Sequence, residues 1–77
     1  MLWIYERSNQ SLQVETRFDN AANEYVLVIR PQDGTEQIER FADASLYQAR
    51  LQNLERQLDT ERWKNPRVLA MQNGWAL

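Results

Sequence analysis

Cysteine and histidine are both absent from this 77-residue chain. That removes disulfides, thiol and imidazole catalysis, and the ordinary ligand sets of structural zinc. Glycine occurs only twice and proline only twice. Two isolated glycines cannot build a phosphate-binding loop, a dinucleotide fingerprint or a nucleophile elbow. Lysine occurs once, as Lys64, against eight arginines, a bias that suits interfaces and that a GC-rich bacterial genome also produces. No window approaches the roughly 18 apolar residues that span a bilayer. The start, Met-Leu-Trp-Ile, lacks the basic residues and apolar run of a secretory leader, so a cytoplasmic location is expected.

What remains has the composition of one small globular domain, with 43% apolar and 26% charged residues. The net charge of −2 gives no general attraction to nucleic acid or to an anionic membrane.

Strand periodicity fills the first half of the chain. Residues 2–7 read as a strand with Leu2 and Ile4 on one side and Trp3 and Tyr5 on the other. Ser8-Asn9-Gln10 reads as a polar turn. Residues 11–19 alternate, with Leu12, Val14, Thr16 and Phe18 facing one way and Gln13, Glu15, Arg17 and Asp19 the other. After a turn at Asn20–Asn23, residues 24–30 carry apolar side chains on both faces: Tyr25, Leu27 and Ile29 against Val26 and Val28. A strand of that kind belongs in the middle of a sheet. Pro31-Gln32-Asp33-Gly34 has the form of a tight turn, and residues 35–41 make a fourth, more polar edge strand.

The periodicity then changes. Asp43 or Ser45 can cap a helix over about residues 44–63, in which Tyr47, Leu51, Leu54 and Leu58 form one stripe. Pro66 bars its continuation. Residues 66–77 form an apolar tail, with Val68, Leu69, Met71, Trp75 and Leu77 around Asn73-Gly74, readable as a short strand, a helical turn or an arm that docks elsewhere. The fold expected is α+β: an antiparallel β-meander of three to four strands, then one amphipathic C-terminal helix packed on one sheet face. Residues 1–65 would form the domain and 66–77 the tail.

One helix covers one face. The other is expected to carry Val26 and Val28 with one alternate pair from the first strand, taken as Trp3 and Tyr5. An apolar patch of that kind calls for the tail or a second copy. Trp63 falls off the helical stripe and, with Trp75, is expected to help at an anchor or interface.

The carboxylates, including the close pairs Glu36/Glu39 and Asp59/Glu61, lie among polar neighbours and read as surface charge, not as acid–base catalysts. Asp33-Gly34 lacks the alternating oxygen ligands of a calcium loop. No metal, cofactor or small-molecule substrate is expected. The order Tyr25–Arg30, Asp33-Gly34, Glu39-Arg40-Phe41, then helix resembles in layout the small DNA-binding domains at the N-termini of phage integrases. That resemblance implies a basic, aromatic sheet face, here Arg7, Arg17, Arg30 and Arg40 with Trp3 or Tyr5. Glu6, Glu15, Glu36 and Glu39 on the same strands cancel the field, and cross-strand ion pairing is the preferred account. The sequence therefore points to a non-enzymatic, self-associating or protein-binding module, with Trp3, Tyr5, Val26, Val28, Trp63 and Trp75 as its candidate surface. Weak nucleic-acid binding is the alternative.

Overall fold

The computed structural model describes the backbone of residues 1–70 and the side chains of residues 1–64; Trp75 lies outside the described residues. Strands β1 (Leu2–Arg7), β2 (Gln10–Asp19), β3 (Glu24–Pro31) and β4 (Gln37–Phe41) form the expected antiparallel meander, followed by helix α1 (Ala44–Thr60). A fifth strand, β5 (Lys64–Ala70), follows the helix and pairs antiparallel with β1. The sheet order is β4-β3-β2-β1-β5. The domain therefore does not stop at residue 65: the first part of the expected tail is an edge strand. Pro66 is tolerated there because one side of an edge strand needs no ladder donor.

Turn chemistry sets the registers. In the β2–β3 loop the Asp19 carboxylate accepts from the amides of Ala21 and Ala22 at 3.0 and 3.2 Å, and Asn23 adopts a left-handed φ of 58°. Between β3 and β4, the Gly34 amide donates to the Pro31 carbonyl at 3.2 Å, and Gly34 takes a φ of 93° that a side chain would resist. The β1–β2 connection has two residues, Ser8 and Asn9, with Arg7 paired to Gln10 and Ser8 at φ 53°.

That last turn corrects the sequence reading. A turn of three residues, Ser8 to Gln10, would place Leu2 and Ile4 beneath the helix. With two residues the register shifts by one and every side chain of β1 changes face. Trp3 pairs with Val14 and Tyr5 with Leu12, on the helix side. Leu2 and Ile4 occupy the far face instead. Both pairs are apolar, so alternation alone could not choose between them.

Asp43 caps the helix, its carboxylate accepting from the Ser45 amide at 2.7 Å. The helix ends at Thr60, three residues before the expected limit. Its closure uses Arg62 N–H to the Asp59 carbonyl (3.0 Å) and Trp63 N–H to the Leu58 carbonyl (2.9 Å). Arg62 occupies the left-handed position, φ 66°, that glycine usually fills. The stripe behaves as expected: Leu54 and Leu58 are buried on Leu12, Val14, Leu27 and Ile29, with Tyr47 and Leu51 packed at the margin.

Helix direction follows from topology. The chain leaves the sheet at one edge, β4, and must return at the opposite edge, β5. Four strand spacings amount to about 19 Å, whereas 17 helical residues span about 25 Å. The helix therefore crosses on a diagonal. Its first turns lie over Tyr25, on which Tyr47 stacks with ring centroids 4.7 Å apart. The residue that caps its C-terminus, Glu61, contacts Arg7, whose guanidinium donates to the Glu61 carbonyl at 3.0 Å and lies 4.3 Å from the Trp63 ring.

Two outcomes follow for stability. Arg62→Gly relieves left-handed strain and is expected to stabilise the fold by about 0.5–1 kcal/mol, visible as a rise of a few degrees in thermal midpoint. Leu58→Ala, which opens a cavity under the helix end, is expected to cost about 2–5 kcal/mol in denaturant titration.

Candidate functional site

A diagonal helix leaves corners of the sheet bare. At one of them, where Met1 pairs with Thr16 beyond the end of β1, lies a cleft of about 550 Å³. Met1, Trp3, Thr16, Arg17, Phe18 and Tyr25 line it from the sheet, and Tyr47, Gln48 and Leu51 from the helix. Aromatic rings dominate its walls. Phe18 meets Tyr25 edge-on at 4.9 Å, Tyr25 stacks on Tyr47, and Phe41 closes the series 5.9 Å from Tyr47. Phe18 shares the helix-side face with Leu12 and Val14, yet 42% of it remains in water, since the helix start covers its cross-strand partner Tyr25 instead.

Polar groups in the cleft are few and held in place. The Met1 ammonium donates to the Thr16 carbonyl at 2.8 Å, and the Thr16 amide returns a bond to the Met1 carbonyl at 2.9 Å. Burial pushes the Tyr47 hydroxyl above its ordinary pKa, and a hydrogen bond with the Thr16 side chain partly offsets this. Among the described residues, no acidic side chain lines the cleft.

The helix start is fixed to the sheet by an ion pair. Arg50 donates from Nε and Nη2 to the two oxygens of Glu39 at 2.7 and 3.0 Å, a forked contact between α1 and β4. The Arg50 guanidinium holds the Glu39 carboxyl below its ordinary value.

On the far face, Val26 and Val28 have no exposed surface and Ile4 is buried, while Ile38 is half-exposed. Val26 lies between Arg17 and Arg40 across the strands, and Val28 between Glu15 and Ile38. Each strand arginine whose side chain is described meets an acidic partner. Arg30 reaches Glu15 at 2.9 Å and Glu36 at 2.7 Å, and Arg40 reaches Asp19 at 3.0 Å and Glu24 at 3.4 Å. Arg7 contacts Glu61 at 4.0 Å, and Arg17 contacts Glu15 at 3.5 Å. The cross-strand pairing expected from the sequence is present, and among the described residues it leaves no array of arginines pointed at a phosphate backbone.

Of the six expected surface residues, the five that are described do not come together on one face. Trp3 lines the cleft and Tyr5 is half-buried under the helix, where burial, and secondarily Glu55, raises its pKa. Val26 and Val28 lie on the other face. Trp63, past the helix end, packs half-buried against the core, its indole N–H donating to Glu61 at 3.3 Å. Sequence reasoning missed the grouping of Phe18, Tyr25 and Tyr47. The signal was there: Phe18 and Tyr25 flank one turn and Tyr47 opens the helix, so all three rings belong to one end of the sheet.

Among the described residues, no group of three or more acidic side chains is placed to hold a metal ion. No described helix is long and apolar enough to cross a membrane. Comparison with family models, with curated proteins and with solved structures gives no match.

The Glu39–Arg50 contact sets an acid dependence. Folding favours the ionised carboxylate, so its stabilisation is complete above the ordinary value of 4.5 and is lost as pH falls through the depressed one. Glu39→Gln is expected to lower stability at neutral pH by about 1 kcal/mol. Thermal midpoints of this variant between about pH 7 and pH 3 should fall less steeply than those of the parent.

Proposed function

We propose that this protein works without catalysis, as a module that binds another polypeptide chain in the aromatic cleft. The observation that carries the reading is the open set of rings, Trp3, Phe18, Tyr25 and Tyr47, at the corner that the helix leaves uncovered. Rings with little side-chain entropy to lose supply large contact area, and a recess of this size accepts one large side chain with its neighbours. The chain offers this recess no histidine, cysteine or glycine-rich loop with which to do chemistry.

Self-association through Val26 and Val28 has less to recommend it. Those side chains are already out of water within one chain, so a second copy would gain little apolar area there. Trp3, counted with them from the sequence, belongs to the cleft. The surface assigned to partner binding thus moves from the far face to the corner.

Panning a random heptapeptide display library against the protein is expected to enrich sequences with an aromatic or large aliphatic anchor. Phe18→Asp is expected to weaken those peptides at least about tenfold, since a charge would then face the anchor. Failure to enrich any peptide, or enrichment untouched by Phe18→Asp, would overturn the assignment.

A further inference from the structure

We propose that the cleft of the free protein is filled by the chain's own residues 71–77, with Trp75 seated beside Phe18, and that a partner binds by displacing them. This rests on the polypeptide-binding reading above and adds its regulation.

The path of the chain brings the segment to the site. Strand β5 begins at Lys64, paired with Glu6, and its Ala70 pairs with Leu2. It therefore runs toward the end of β1 at which Met1 and Trp3 line the cleft, and residue 71 follows there. The helix meets β1 at the other end, where Glu61 contacts Arg7.

Reach is sufficient. From β5 across β1 to β2, where Thr16 and Phe18 line the cleft, is two strand spacings, about 10 Å. The five residues that follow Ala70 and end at Trp75 extend up to about 17 Å, which leaves slack for a reversal at Asn73-Gly74.

The chemistry agrees. Met71-Gln72-Asn73-Gly74-Trp75-Ala76-Leu77 carries no charged side chain, and the described walls of the cleft are mostly aromatic and hold no carboxylate. Phe18 still offers apolar surface to cover, at 42% exposure, whereas Val26 and Val28 on the far face have none left. Tethering then decides between occupants. A segment on so short a linker is present at an effective concentration of order millimolar. A free peptide of equal intrinsic affinity, at micromolar concentration, loses that competition, so a partner takes the site only by binding more tightly than the tail.

Nuclear Overhauser spectra of the unaltered full chain give the first test. Cross-peaks from the Trp75 indole to the Phe18 and Trp3 rings are expected. Cross-peaks from that indole to the Val26 or Val28 methyls instead, or no cross-peak to the cleft, would overturn the occupancy. Cleft cross-peaks that appear only between labelled and unlabelled chains in a mixed sample would overturn docking within one chain in favour of exchange between two copies. The second test uses Trp75→Ala, whose circular dichroism should match the parent and whose Trp3, Thr16, Phe18 and Gln48 amides should shift. Two capped peptides, Gln-Asn-Gly-Trp-Ala-Leu and the unrelated Ser-Phe-Ser-Leu, are expected to bind this variant about tenfold more tightly than the parent. Equal binding to variant and parent, or binding of the unrelated peptide alone, would overturn the tail as occupant and leave the polypeptide-binding reading standing. Absence of cleft shifts with both peptides in both proteins would overturn both readings.

Discussion

The helix of this protein must join the two outermost strands of a five-stranded sheet, and most other features follow from that crossing. A helix between neighbouring strands could run along the strands and cover a face evenly. Here the chain leaves β4 and enters β5, so the 17-residue helix runs corner to corner. Leu54 and Leu58, in the second half of the helix, are buried on Leu12, Val14, Leu27 and Ile29. Toward the Met1 end of β1 the helix has turned away, and Trp3 and Phe18 border a recess whose other side is the Tyr25–Tyr47 stack. The cleft is thus a consequence of topology, shaped by aromatic residues that happen to sit at its corner of the register.

A two-residue turn decides which rings those are. With Ser8 and Asn9 alone in the connection, Trp3 and Tyr5 share a face with Val14 and Leu12. The same turn sends Leu2 and Ile4 to the far face, where they join Val26 and Val28. Charge is arranged around this division. Arginines on the far face are held by Glu15, Asp19, Glu24 and Glu36, and Glu39 on the helix face fixes the start of α1 through Arg50. Arg17, on the far face with Val26, contacts Glu15 at 3.5 Å.

Much of the fold was legible because β2 alternates cleanly, β3 is apolar on both sides, and Tyr47, Leu51, Leu54 and Leu58 recur at helical spacing. Each of these signals lies within one element. The misplaced features depend on relations between elements. The face of β1 hinged on one residue of turn length, with apolar pairs on both sides to satisfy either choice. A short strand was one of three readings of the apolar stretch after Pro66, with a helical turn and a docking arm, and no local cue showed that it would pair with β1, far away in sequence. The cleft depended on both, since without β5 at the far edge the helix has no reason to run diagonally. Ion pairing was easier to foresee, because charges alternating along neighbouring strands must meet someone across the ladder.

The register of β1 on β2 is therefore the point on which the account turns, and a nuclear Overhauser spectrum reads it directly. Cross-peaks from the Trp3 indole to the Val14 methyls, and from the Tyr5 ring to the Leu12 methyls, are the expected result. Cross-peaks from the Trp3 indole to Glu15 and Val28, with Ile4 methyls reaching Val14, would put the indole on the opposite face, remove it from the cleft, and contradict the account.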